Sequence, residues 1–271
     1  MTDQQIALSV SDVRKAYGSK PVLDGVTFDV RDNELLCIVG HSGTGKSTLL
    51  RCMAGLLPVT SGRIALHGTP VTGPPADLAV VFQDYSRSLM PWMRIIDNVT
   101  LPLLRTVRSS AARASAGEAA LKAVGLGGTG HLYPWQMSGG MQQRVAIARA
   151  IAYEPAVLLM DEPFASVDAQ TRADLEDLTL SIRAEFGMTI VLVTHDIDEA
   201  VYLGDRVVLL AGQPARIKDE VDVPLPHPRD QVSTKADARF VDLRTRVLTH
   251  IRAEAHRPDA VVAPMESATV A

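Results

Sequence analysis

The order of apolar and polar positions divides the chain into a β-rich start, an α/β middle and a weakly patterned end. Ile6-Ala7-Leu8-Ser9-Val10 and Val26-Thr27-Phe28-Asp29-Val30 alternate, which predicts two half-buried antiparallel strands with a turn around Tyr17-Gly18-Ser19 between them. Glu34-Leu35-Leu36-Cys37-Ile38-Val39 is instead almost continuously apolar, as a strand covered on both faces is. It runs into a glycine-rich loop and a helix expected from Lys46 to about Ala54. Two further buried strands are expected at Ala156–Met160 and Thr189–Val193, with a helix near Thr171–Glu185 between them. Strands that alternate with helices imply right-handed crossovers and a parallel sheet. Residues from about Ala111 to Arg149 read as helical, with a glycine-rich break at Gly125–Gly130, and are expected to form a helical subdomain inserted into the α/β core. Beyond about Gly212 the pattern weakens. Val223-Pro224-Leu225-Pro226-His227-Pro228 reads as a stiff linker, an amphipathic helix is expected at about Ala236–Glu254, and the last dozen residues read as frayed.

Composition excludes several classes. A chain of 271 residues, 46% hydrophobic and 21% charged, has the material for a buried core and is not a disordered chain. Its 27 Lys+Arg against 31 Asp+Glu leave a net charge of −4, which argues against nucleic-acid binding, since neutralising phosphates takes a basic face. No apolar run approaches the roughly 18–20 residues that span a bilayer. The start, Met-Thr-Asp-Gln-Gln, lacks the charged and apolar regions of a secretory signal, so the expected default address is the cytosol. Cys37 and Cys52 are too few for a disulfide framework and show no metal-ligand spacing, so both are expected to be reduced and buried.

Three segments carry chemistry. Gly40-His41-Ser42-Gly43-Thr44-Gly45-Lys46-Ser47 fits the Walker A pattern G-x-x-x-x-G-K-[ST], placed between a buried strand and a helix. That pattern arises by chance on the order of once in a hundred chains of this length. Such a loop turns its N–H groups inward, and the following helix adds its positive dipole end, so a triphosphate meets a preformed anion site. Lys46 is expected to reach the β- and γ-phosphates, Ser47 to ligate Mg²⁺ and Thr48 to bond the α-phosphate. Val157-Leu158-Leu159-Met160-Asp161-Glu162 is a Walker B pattern: its two carboxylates end a parallel strand, where such sheets bind ligands. Asp161 is expected to hold Mg²⁺ and Glu162 to polarise the attacking water as general base. In the third segment, Leu132 to Arg144, Ser138-Gly139-Gly140 opens a helix, and a hydroxyl beside bare N–H groups is a second anion-binding device.

The third segment resembles the signature motif of ATP-binding cassette (ABC) ATPases, with Met141 where that motif usually has Gln. The resemblance covers roughly residues 6–212 and adds weaker positions in the family's order. Tyr17 matches the aromatic that stacks on adenine. Gln83 matches the glutamine that contacts Mg²⁺ and the attacking water, Asp168 the loop that crosses the dimer seam, and His195 the switch histidine at the γ-phosphate. The implied fold is α/β: a P-loop NTPase core with a mostly parallel sheet, an N-terminal antiparallel β subdomain and an inserted α-helical subdomain at about residues 84–155. Residues 1–212 would form the ATPase domain and residues 213–271 a C-terminal extension with one helix.

Members of that family dock head to tail, so that each ATP lies between the Walker A loop of one copy and the signature helix of the other. Ser138, Gly139, Gly140 and Asp168 would then serve the ATP bound by the partner copy. A P-loop kinase has no use for the Ser-Gly-Gly helix or His195. A non-transport cassette ATPase usually carries two cassettes or a long coiled coil, and neither is here. The energising subunit of a transporter remains, with permease subunits on separate chains. Leu89, Met90, Trp92 and Met93 around Pro91 suit the groove that receives a permease helix. Leu89-Met90-Pro91-Trp92, Tyr133 to Arg144 and His195 to Leu203 are similar to the nitrate/sulfonate/taurine/bicarbonate group of bacterial importers. That group implies a homodimer on the cytoplasmic face of the inner membrane and an extracytoplasmic solute-binding protein. Importers of thiamine-precursor pyrimidines and exporters with separate spans remain alternatives.

Overall fold

The computed structural model describes residues 5–84 and 88–255. The Tyr85-Ser86-Arg87 part of the loop after Gln83 and the last dozen residues, read above as frayed, lie outside the described residues. Strands β1 (Ile6–Tyr17) and β2 (Lys20–Arg31) pair antiparallel and are longer than their alternating stretches. The alternation stops because the register shifts between Val10 and Val13, where Asp12 takes a φ of 46° and its N–H is held by Thr27 Oγ1 at 2.8 Å. A bulge moves every later side chain to the other face, so a period of two does not run through it.

After β3 (Leu35–Val39) and helix α1 (Lys46–Met53), β4 (Ser61–Leu66) joins the other side of β1, and β5 (Thr69–Pro70) completes a four-stranded sheet of order β2-β1-β4-β5. The chain then enters the second sheet with β6 (Leu78–Val81). Helices α2 (Ile95–Thr100), α3 (Ser110–Ala123) and α4 (Gly139–Ile151) pack on one another before β7 (Val157–Asp161). Next come α5 (Ala169–Phe186), β8 (Thr189–Thr194), α6 (Ile197–Leu203), β9 (Arg206–Ala211) and β10 (Arg216–Asp222). The six strands order as β10-β9-β3-β8-β7-β6, parallel throughout except for the edge pair β9–β10. A short helix α7 (Ser233–Ala236) and the amphipathic α8 (Ala238–Ala255) close the described chain, with α8 against α6, β9 and β10.

Every residue of β3, β7 and β8 is buried. Alternate side chains serve opposite faces: Leu35, Cys37 and Val39 join the core beneath the helical insertion, whereas Leu36 and Ile38 join the core shared with α1 and the antiparallel sheet. This is why these strands read as unbroken apolar runs. Cys37 and Cys52 are free and buried, and burial pushes both thiols up.

Candidate functional site

The glycine-rich loop owes its path to backbone crowding. A Cβ on Gly40 would stand 2.3 Å from the Leu210 carbonyl oxygen of β9, so the loop can pass this strand end only as glycine. Gly45, at φ 94°, is the N-cap of α1 and turns the chain into the helix from a left-handed conformation that L side chains disfavour. The Lys46 amine is buried and donates to the Gly40 and His41 carbonyls at 2.8 and 3.0 Å, folding the loop on its own side chain. Burial pushes its pKa down, offset by the nearby Glu162 and Asp161 carboxylates. Ser47 Oγ donates to Asp161 Oδ1 at 3.0 Å, which ties the start of α1 to the end of β7. Asp161 is itself buried, and burial raises its pKa against the opposing Ser47 hydrogen bond.

One carboxylate gathers the remaining groups. Glu162 follows β7 in a left-handed conformation at φ 44°, its N–H bonded to the Val193 carbonyl at 2.8 Å. A non-glycine residue held there costs on the order of 1–3 kcal/mol, a strain that concentrates at functional positions. His195 Nδ1 lies 3.0 Å from Glu162 Oε2, Gln83 Nε2 reaches the same oxygen at 3.4 Å, and Lys46 Nζ stands 3.8 Å from Oε1. The structure thus brings together Lys46, Ser47, Gln83, Asp161, Glu162 and His195, which the sequence distributes over the ends of four strands, β3, β6, β7 and β8.

The other candidates lie apart from that cluster. Ser138 is the N-cap of α4, accepts from the Met141 N–H at 3.3 Å and is exposed. Gly140 sits so close to α5 that a Cβ there would meet Thr171 Cγ2 at 2.5 Å. Asp168 caps α5, taking the Thr171 N–H at 3.0 Å and its hydroxyl at 2.7 Å, and these bonds hold its carboxyl below the usual range. Among the described residues, no hydrogen bond or ion pair joins Ser138, Gly139, Gly140 or Asp168 to the Lys46–Glu162 cluster. Tyr17, 49% exposed at the end of β1, has Lys15 Nζ 5.3 Å above its ring.

The donor set fits a magnesium nucleotide. The Ser47 hydroxyl, the Asp161 carboxylate and the Gln83 amide are oxygen donors suited to a hard cation. The narrow Gly40 passage and the buried Lys46 amine make a cradle shaped for phosphate.

Some groups around this site escape a reading of the sequence. Thr194 and Glu199, both buried, and the half-buried Asp196 and Arg172 form a polar cluster beside His195. Read along the chain, Glu199 is an ordinary acid in a helix first turn, and the only hint is its spacing from Asp196. His41 Nε2 lies 3.3 Å from the Ile251 carbonyl, so the end of α8 touches the glycine-rich loop, a contact across 210 residues that no local pattern signals.

The family model for ABC transporters matches residues 23–165. A nitrate transport protein, NasD, of Klebsiella oxytoca is 43% identical over 237 residues, 86% of this chain and 90% of its own. The taurine import ATP-binding protein TauB of Escherichia coli O157:H7 is 40% identical over 250 residues, 90% of this chain and 96% of its own. Among solved structures, a dimeric ATP-binding cassette in a post-hydrolysis state, bound to ADP and Pi, superposes with a TM-score of 0.70 at 31% identity, covering 80% of this chain and 98% of that one. The phosphate loop, the clustered carboxylates and the separate signature helix are therefore those of a nucleotide-hydrolysing cassette, and this chain belongs to the ABC transporter ATPase family.

Proposed function

We propose that this chain is the ATP-hydrolysing subunit of a bacterial importer for a small anion of the nitrate, sulfonate/taurine or bicarbonate type. It would work as a homodimer on the cytoplasmic face of the inner membrane, with permease subunits and, through them, an extracytoplasmic solute-binding protein. The anion class follows the nitrate and taurine transport proteins to which the chain is similar. One observation carries the reading: Glu162 gathers Lys46, Gln83 and His195 within 3.8 Å, while the Ser138 helix start has no partner in that cluster. Ser138, Gly139, Gly140 and Asp168 would then face a site that this copy does not complete.

Lys46 exchanges the Gly40 and His41 carbonyls for the phosphates, the better partners for an ammonium. Ser47, Asp161 and Gln83 would hold Mg²⁺, which would supply charge neutralisation for the phosphates. Glu162 takes the proton of the attacking water, and His195, bonded to Glu162 Oε2, fixes the carboxylate and reaches the γ-phosphate. Gly40 to Thr48 wrap the phosphates, Tyr17 stacks on adenine, and Ser138, Gly139, Gly140 and Asp168 serve the nucleotide of the second copy. Trp92, 73% exposed on a loop braced by Asn98, is the permease contact.

The test is Glu162→Gln with ATP, followed by light scattering. The variant should bind ATP, hydrolyse it at least about 100-fold more slowly and accumulate as a dimer. A variant that stays monomeric with ATP, with and without permease, sinks the composite site.

A further inference from the structure

Behind His195 lies a chamber of about 40 Å³, lined by residues that include Glu162, Arg172, Thr194, His195, Asp196 and Glu199. About 10–15 Å³ suffices for one water, so the space takes an ordered water if polar groups point to it. Two do. Glu199 Oε1 and Arg172 Nε are buried and have no protein partner. The other Glu199 oxygen accepts the Thr194 hydroxyl, whose oxygen in turn accepts the Asp196 N–H at 3.0 Å. Thr194 and Asp196 flank His195, so this chain of bonds grips the backbone on both sides of the residue that holds Glu162. In a capping box an acid at this helix position reaches back to the N-cap N–H; here Thr194 takes that N–H and Glu199 is turned inward.

We infer that Glu199 is a positioning residue for hydrolysis, acting through Thr194 and an ordered water in this chamber on the His195–Glu162 pair. The inference rests on the proposed function, since it supposes that Glu162 is the base. Burial drives Glu199 to the acid form, raising its pKa to about 8. Its neighbours pull both ways: the Thr194 hydrogen bond and the Arg172 charge oppose the acid form, while the Glu176 and Asp196 carboxylates favour it, and burial outweighs them. Glu162 and His195 also line the chamber, and the Cys37 thiol of β3 is near enough for Glu199 to raise it. Arg172 is engaged by Asp196 at 3.3 Å, and Lys235 sits on Glu176 at 3.3 Å, so neither cation forms an ion pair with Glu199. As an acid, Glu199 has a proton to give the chamber water. Ionised, it has lost that proton and no longer donates to the chamber water.

The experiment measures ATPase activity of the reconstituted transporter between pH 6 and 9.5, with nucleotide binding followed separately, for wild type, Glu199→Gln and Glu199→Ala. Wild type should lose turnover as pH rises through about 8, with KM for ATP nearly constant. Glu199→Gln, which stays neutral and can both donate and accept, should keep turnover near neutrality and lack that alkaline decline. Glu199→Ala should lower kcat at least about ten-fold with ATP binding unchanged, as misplaced catalytic groups do. An unchanged kcat in Glu199→Ala, or an alkaline limb in Glu199→Gln identical to that of wild type, overturns the role. Should Glu199→Ala not fold, the pH profile of Glu199→Gln decides alone. Normal hydrolysis by Glu162→Gln would instead refute the proposed function and leave the Glu199 profile to be explained anew.

Discussion

The loop edge of the six-stranded sheet and the outer end of the helical insertion carry equally sharp motifs, but they are built differently. At the sheet edge, Lys46, Ser47, Asp161 and Glu162 are buried or half-buried and already bonded to one another. At the insertion, Ser138 and Gly139 are exposed and Trp92 and Trp135 are 73% and 71% exposed, with Tyr133 stacked on Trp135 at 5.8 Å between ring centroids. One region spends its polar groups within the chain, and the other holds them out. On the proposed function, the difference separates residues that make a site from residues that would complete that of a second copy.

The sharpest way to break that contrast is at the sheet edge. Lys46→Ala removes a buried ammonium from between the loop carbonyls and Glu162, and turnover should fall by about 10³-fold, as when a preorganised charge at a reacting phosphate is lost. ATP binding to the isolated subunit, read by equilibrium titration, should weaken as well. A loss below ten-fold would mean that the cradle does not depend on its own cation.

Ser138→Arg probes the other region. Because Ser138 has no partner in the cluster of its own chain, ATP affinity of the monomer should stay near wild type, while turnover of the assembled dimer drops by about 100-fold. Mixing this variant with Lys46→Ala sharpens the point. A heterodimer keeps one intact composite site and should recover activity that neither parent has. Equal loss of monomer binding in Ser138→Arg would erase the distinction between the regions.

These two regions were also unequally legible. Strands β3, β7 and β8 are covered on both faces, so their apolar runs announce them, and the phosphate loop is named by its own spacing. Strand β6 is four residues long, too short for a period to register. Strand β10, Arg216–Asp222, pairs with β9 alone among the described strands and shows solvent its polar side chains, so it falls where the pattern weakens beyond about Gly212. The apolar segment around Pro91 looks uniform in the sequence, yet Leu89 is 2% exposed and packs into the core while Trp92 faces out. The brace that splits them is Asn98, which is fully buried, accepts the Met90 N–H at 2.7 Å and donates to the Met90, Met93 and Arg94 carbonyls at 3.1 to 3.2 Å. Nothing in local propensity marks an Asn for that task. The Glu199 cluster was hidden for the same reason, since its partners come from α5 and β8.

Asn98→Ala therefore tests how the insertion displays its surface. The substitution leaves the Met90 N–H and the Met93 carbonyl without their Asn98 partner in a partly buried turn, while the Met90 and Arg94 carbonyls keep the Met93 and residue-98 N–H groups, and it should cost about 1–3 kcal/mol of stability by urea unfolding. The Lys46 cluster, on other elements, should still bind ATP at temperatures where the variant remains folded. A fall in nucleotide affinity equal to the fall in stability would show that the two regions are one mechanical unit.

The smallest change should come from Trp92→Ala combined with Met90→Ala. An exposed Trp contributes little to the core, so unfolding should move by no more than about 0.5 kcal/mol for a surface position. ATP binding should be unchanged, because neither residue touches the phosphate loop. Large aromatic anchors carry much of the energy of protein interfaces, so permease association should weaken by about 2 kcal/mol or more, read as loss of co-purification and of solute-stimulated turnover. Asn98 keeps the stub of the loop in place in this double variant, which separates a missing contact from a collapsed surface. If the permease still co-purifies in full, the outward set of Trp92 serves something other than the membrane subunit, and Trp135 beside the signature helix becomes the residue to remove next.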